Sequence, residues 1–406
     1  MADMPLNGLK VIDLSHHMAG PFASQRLGDM GADIIKIEPL GYGEWTRIRP
    51  IGNGWVSEDM NTSFISTNRN KRSLTLDLKK EKGKNIFMEM IRTADIFVSN
   101  FRPEVHRKLG IDYETLKKIN PGLIYCSVTG YGQDGPYAGR PGQDLLIQGL
   151  SGVTWNAGRE TDCPIPLGAF VADAMAGQNA TEGILAALYY REKTGKGQMI
   201  AVDLLSSLIE VQTQEYTTYL NSGQHPKRSK ELLAHPLINS PYGIHKTKDS
   251  YLALAMTPFD KLADALEEPE LLKYTSWEAG QLYRDEIFEI TANALLKKTT
   301  AEWIRILQKK DVWCGEVLKY PEVVKNPQVV HMEVFRSMKG APYGEIKIVG
   351  NPIRFSETPV SYRITPPVLG AHNHEILKEY GYSDETIQML EEENVIQKEN
   401  PKSFRI

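Results

Sequence analysis

Apolar runs of strand length alternate with helical stretches through the first half of the chain. Leu9 to Leu14 (LKVIDL) and Ala32 to Glu38 (ADIIKIE) are apolar enough for buried strands, and between them Pro21, at a first helical position, opens SQRLGDMG. These three segments make a strand–helix–strand unit. Further along, Arg72 to Leu78 (RSLTLDL) alternates as a strand should, Lys84 to Thr93 is helical, and Asp95 to Val98, Leu123 to Val128 and Met199 to Asp203 read as strands. This order predicts an α/β fold with a Rossmann-like parallel sheet, whose ligands bind beyond the carboxyl ends of the strands. The loops at that end are His16 to Gly20 and Asn100 to Pro103.

A longer helix is predicted from Asp173 onward, where Met175, Thr181, Ile184, Leu185, Leu188 and Tyr189 recur at helical spacing toward a core, and Gly195 stops the pattern. Asp173 falls in its first turn. Free N–H groups and the helix dipole favour negative charge there, so the carboxylate is expected to be ionised at neutral pH. Gly168, Ala169, Ala172, Ala174, Ala176 and Gly177 surround it with almost no side chain. The collar has two readings: it leaves room for another molecule to reach the carboxylate, or it only permits close packing, with Asp173 as an N-cap.

Leu204 to Leu220 reads as a helix and the polar Asn221 to Lys230 as a linker. A hairpin (Tyr242 to His245 with Tyr251 to Met256) and helices near Asp260 to Leu272 and Glu286 to Lys297 follow. Thr299 with Glu302 forms a capping box at the start of another helix. The chain thus divides into a large α/β domain at 1–220, a smaller α+β domain at 225–325, and a return to the large domain at 326–406. That return ends in helices near Asn373 to Tyr380 and Glu385 to Asn394.

The 406 residues, 41% of them hydrophobic, suffice for two domains. A net charge of −4 from interspersed charges lacks the basic excess of a nucleic-acid binder. Cys126, Cys163 and Cys314 lie far apart, which points to neither disulfides nor zinc and fits a reducing cytoplasm. MADMPLNGLKVIDL lacks the layout of a signal peptide, no apolar run has the length of a membrane span, and Phe404-Arg405-Ile406 is not a peroxisomal ending. His16 with His17, and His372 with His374, resemble metal pairs without a third ligand; orienting and surface roles are expected of them. Arg47, Arg49, Lys71, Arg72 and Lys79 read as a scattered, solvated set. Gly130 to Gly135 matches GxGxxG formally, but Pro136 and Gly139-Arg140-Pro141-Gly142 keep the chain in a loop where the dinucleotide fingerprint needs a helix. Arg102 and Lys108, flanking a helix start, could reach one phosphate cluster.

Several of these segments carry a family resemblance: Gly8 to Pro21, GADIIKIE, NKRSLTLDL, Gly130 to Gly135, Asp173-x-x-x-Gly177 with Gly183 to Leu188 and Thr194 to Gln198, Ser240 to Gly243, and Leu369 to Gly381. In order and spacing they resemble the class III CoA-transferases, the formyl-CoA and carnitine CoA-transferase group. The resemblance implies that Asp173 is the nucleophile and that Arg102 and Lys108 contact CoA phosphates. His16, Ala19, Leu76, Lys79 and Asn100 are the further candidate CoA contacts. It also implies an acyl-CoA and a small carboxylic acid as partners, and no cofactor or metal beyond CoA as substrate. Two protomers interlocked as a homodimer are expected, with the site between one protomer's large domain and the other's small domain. Two departures stand out: Pro39 and Met18 replace an arginine and a glutamine of formyl-CoA transferases, so the adenine end of CoA must be held differently. The glycine run that closes over the formyl-CoA transferase site is also missing, which argues against oxalate or formate. The related α-methylacyl-CoA racemases are the alternative; their histidine falls at Gln143, which cannot take up a proton.

Overall fold

In the computed structural model, which describes residues 4–57, 60–340 and 343–398, one parallel sheet organises the first half of the chain. Its strands are β1 (Lys10–Leu14), β2 (Asp33–Glu38), β3 (Lys71–Thr75), β4 (Ile96–Ser99), β5 (Ile124–Thr129) and β6 (Met199–Asp203). They lie in the order β3-β2-β1-β4-β5-β6, and every neighbouring pair is parallel. The order reverses between β1 and β4. That switch point opens a crevice beyond the strand ends, bordered by the loops that begin at Ser15 and Asn100.

Strands β1 to β5 are buried on both faces, as apolar parallel strands require, while the edge strand β6 is only partly buried. Ile12, Ile35, Leu74, Phe87, Phe97 and Tyr125 belong to one cluster, which Ile376, Leu377 and Leu390 from the end of the chain join. Where alternation is expected, β3 is buried throughout. The reason is a covered edge: Asn373 Oδ1 accepts from Thr75 N–H at 2.8 Å, and His372 N–H donates to Ser73 O at 3.1 Å.

Contacts divide the chain into two compact units, one of 1–147, 170–207 and 327–406, the other of 148–169 and 208–326. Segments 148–169 and 208–220, which the sequence pattern assigns to the large domain, are tied to each other within the second unit. Gln212 Nε2 and Tyr216 Oη both donate to Ser151 O, at 3.0 and 2.9 Å. The second unit also holds a three-stranded antiparallel sheet, in which Gly243–Lys246 and Cys314–Glu316 flank Tyr251–Leu254. Leu252, Leu262, Ile287, Leu295 and Trp303 fill its core. The capping box at Thr299 and Glu302 is formed and starts the helix Thr300–Lys309. Among the described residues no helix is long and apolar enough to cross a membrane.

Candidate active site

Two helices meet where Asp173 lies. They are α1, which spans Ala19–Asp29, and the long α3, which spans Val171–Thr194 and ends at Gly195 with φ 71°; a short α2, Pro103–Leu109, intervenes in the chain. The buried face of α3 is made of Ala172, Ala176, Gly177, Ala180 and Ile184, while Leu185 and Tyr189 are exposed. Thr181 and Ile184 of the expected apolar face are buried, and the exposure of Leu185 and Tyr189 corrects the rest of it. Close helix packing is the cause: a Cβ on Gly177 would stand 2.7 Å from Ala19 O and 2.9 Å from Phe22 Cδ1.

Asp173 is in the first turn of α3 but does not cap it, since the N-cap position is Phe170. Its carboxylate instead accepts from the N–H of Ala19, one of the unpaired donors at the start of α1. Its own N–H donates to Asp144 Oδ2 at 3.1 Å. Burial, followed by the negative charge of Asp144, pushes the Asp173 carboxyl up to about 6 against the pull of the Ala19 N–H. Desolvation therefore outweighs the stabilisation expected of a helix start. At pH 7 ionised Asp173 still predominates, as a carboxylate more basic than usual.

A cavity of about 720 Å³ occupies the crevice beyond β1, β2, β3 and β4. Of the residues expected to contact CoA, His16, Leu76, Lys79, Asn100 and Arg102 line it, and Lys108 and Ala19 do not. Lys108 is exposed in the last turn of α2, and Ala19 faces the Asp173 carboxylate. The loop after β1 is fixed to the loop after β4 by Asn100, whose Oδ1 accepts from His16 N–H at 2.8 Å and whose Nδ2 donates to His16 O at 2.7 Å. The His16 ring lies 5.1 Å from that of Phe101. Burial and the neighbouring Lys36 hold the imidazole down at about 4, so it is neutral at pH 7. An orienting role for His16 agrees with this arrangement.

The basic residues read as a solvated set are largely internal. Lys71 is fully buried and donates to Asp13 Oδ2, Asn68 Oδ1 and Pro21 O at 2.9, 2.9 and 3.0 Å. Burial lowers it to about 8, against the attraction of Asp13. Arg47 forms a buried bidentate pair with Glu38, at 2.6 and 2.7 Å. Arg72 bridges Asp33, Glu375 and Glu379. Lys71 thus ties β3 to β1, Arg72 ties β3 to β2 and to the helix Asn373–Glu379, and Arg47 ties the segment after β2 to the end of that strand.

Gly130 to Gly135 stays in a loop, and the next helix starts only at Asp144. Close loop packing explains one of its glycines, because a Cβ on Gly130 would lie 2.7 Å from Gly142 Cα. His374 pairs with Asp384 at 2.7 Å, and His372 Nδ1 accepts from Ser73 N–H at 3.2 Å. The neighbour that sequence reasoning missed is Asp144. It lies 29 residues from Asp173, next to Gln143, and nothing local in the sequence ties it to that carboxylate.

A crevice at the strand ends and a destabilised carboxylate at the head of a helix define an enzyme of the Rossmann-like α/β class. The chain belongs to CoA-transferase family III, whose profile matches residues 6–373. It is 34% identical to succinyl-CoA:glutarate CoA-transferase of Mus musculus, over 98% of this chain and 92% of that one. With succinate–glutarate CoA-transferase of Agrobacterium fabrum (strain C58 / ATCC 33970) the identity is 35%, over 93% of this chain and 98% of the other. The crystal structure of a CAIB/BAIF family protein from Brucella suis matches with TM-score 0.82 and 32% identity, covering 93% of this chain and 99% of that chain. The protein is a CoA-transferase, moving CoA from an acyl-CoA to a carboxylic acid.

Proposed function

We propose that CoA passes from a dicarboxylic acyl-CoA of the succinyl type to a second dicarboxylic acid through covalent intermediates on Asp173. The observation that carries this reading is the Asp173 carboxylate itself: raised to about 6, touched by the Ala19 N–H, and flanked by small residues. A carboxylate that is ionised but poorly solvated is a better nucleophile than a free one. The relatives named for succinyl-CoA or succinate and glutarate support the choice of acids.

In the first step Asp173 Oδ attacks the thioester carbonyl, the C–S bond breaks, and CoA thiolate leaves behind a mixed anhydride. The thiolate then attacks the Asp173 carbonyl, which releases the donor acid and forms an aspartyl-CoA thioester. The acceptor carboxylate attacks that thioester, forming a second anhydride and expelling the thiolate again. Attack of the thiolate on the acceptor's acyl carbon gives the new acyl-CoA and restores the Asp173 carboxylate. Each step builds charge on oxygen, for which backbone donors such as the Ala19 N–H are suited. His16, Leu76, Lys79, Asn100 and Arg102 are proposed CoA contacts in the cavity, with Ala19 beside Asp173 and Lys108 outside the lining as further ones; Arg102 and Lys108 are proposed for the phosphates.

The chain is proposed to act as a homodimer in the cytoplasm. Exposed Leu145, Leu146, Phe170, Tyr189 and Tyr190 support association, being large apolar side chains on one unit's surface. The well-separated free cysteines are compatible with a reducing compartment. The test is to supply succinyl-CoA and glutarate and measure glutaryl-CoA, with Asp173→Ala as the comparison. Loss of turnover with CoA binding retained is expected; turnover persisting in Asp173→Ala would overturn the role of Asp173.

A further inference from the structure

We propose that Tyr42 and Trp45 form an aromatic shelf for the adenine base of CoA, an inference that rests on the reading of the cavity as the CoA site. Both rings line that cavity, and both are large apolar groups left about two-fifths exposed, at 44% and 41%. Their centroids are 6.3 Å apart with planes tilted by 54°, so they flank a corner of the cavity without covering one another.

The segment that presents them is built to stay in place. Gly41 and Gly43 on either side of Tyr42 have φ of 91° and 69°, which turns the chain outward at Tyr42 and back inward after it. Beneath this turn Glu44 N–H donates to Glu38 Oε2 at 3.2 Å, and Arg47 pairs with the same carboxylate. A side chain at Gly43 would meet Arg47 Cδ at 2.7 Å and Glu38 Oε2 at 2.8 Å, so the turn is seated directly on that ion pair. The guanidinium of Arg49 lies 4.8 Å from the Trp45 ring centre and supports the indole. Rigid, exposed aromatic faces over a cavity are what a planar base can stack on at small entropic cost.

Charge in the cavity leads to the same ligand group. Its lysine and arginine are Lys79 and Arg102, while Asp77 and Glu104 line it too, and Pro39 after β2 adds no cation. His16 is neutral at pH 7, and Glu38 is already neutralised by Arg47. With two cations set against two carboxylates in the lining, and Lys108 outside it as the one further cation proposed for the phosphates, charge alone suits the three phosphates of CoA poorly. A nucleotide end held here needs an apolar contribution, and the shelf provides it.

The test compares the affinities of CoA and of phosphopantetheine, which lacks the adenosine together with two of the three phosphates, in the wild-type chain, Tyr42→Ala, Trp45→Ala and Trp45→Phe. Calorimetry and KM values for succinyl-CoA and succinyl-pantetheine supply the numbers. Either alanine variant is expected to weaken CoA by about five- to a hundredfold, the range for loss of one base–aromatic stack, while phosphopantetheine keeps its wild-type affinity. Trp45→Phe, which retains a ring, should stay within about threefold of wild type. Unchanged CoA affinity in both alanine variants, or equal losses for both ligands, would refute the shelf alone. A wild-type chain that binds no CoA would overturn the cavity assignment together with the shelf.

Discussion

Replacing Asp173 by asparagine separates a carboxylate held for chemistry from one held for stability. The amide keeps an oxygen for the Ala19 N–H and nearly the same volume, and removes only the charge. A carboxyl titrating near 6 in the folded protein, against 3.8 when unperturbed, costs the folded state up to roughly 3 kcal/mol once ionised. Because the folded state holds this proton more tightly than the unfolded one, folding takes up protons between about pH 4 and 6. Stability from this site therefore falls as pH rises through that window and is constant above it. Asp173→Asn should match the wild type near pH 4 and exceed it at pH 8 by ~1–3 kcal/mol, the lower figure allowing for solvent reaching a half-buried side chain. Urea denaturation at pH 4, 5, 6 and 8 reads this directly. A variant less stable than the wild type at pH 8 would refute the reasoning and make Asp173 a stabilising cap of α1.

Three further outcomes follow from the same geometry. The acid limb of kcat/KM should lie near pH 6 and move lower in Asp144→Asn, which removes a repelling charge but keeps an acceptor for the Asp173 N–H; an unmoved limb would show that Asp144 does not tune the site. Gly177→Ala should cost ~1–3 kcal/mol by overpacking against Ala19 and Phe22, and should lower transferase activity by shifting α1 from Asp173; unchanged Tm and activity would contradict the close contact. Arg47→Met leaves Glu38 buried and unpaired and should lower stability by ~3–5 kcal/mol at pH 7. Arg47 holds that carboxyl down at about 2 against its burial, so the wild-type advantage should be present above about pH 4.5 and fade toward pH 2.

Much of the large unit was legible because its signals are local. The apolar runs of β1, β2, β5 and β6 and the Gly195 stop each depend on a few adjacent residues, as does the Thr299–Glu302 box in the second unit. Asp173 stood out for a similar reason, as an acid among small neighbours at a predicted helix start. What remained hidden depends on distant partners. Lys71 and Asp13 are 58 positions apart, and a lysine in a string of charges looks solvated until the sheet brings its carboxylate beside it. The pairing of Phe335–Gly340 with Gly344–Val349 escaped notice because the hairpin is largely exposed and only Met338, Ile346 and Ile348 turn inward. On α3 the expected face was right at Thr181 and Ile184, which are buried, and wrong at Leu185 and Tyr189, which are exposed. Where two helices approach to the distance seen at Gly177, small side chains are the ones that fit inside.

Covalent transfer through Asp173 is tested most directly by trapping. The protein is incubated with succinyl-CoA, quenched with hydroxylamine, and digested for peptide mass spectrometry. A hydroxamate on Asp173 that requires the acyl-CoA and is absent with CoA alone is expected. An unmodified Asp173 in protein that turns over succinyl-CoA and glutarate would contradict covalent transfer.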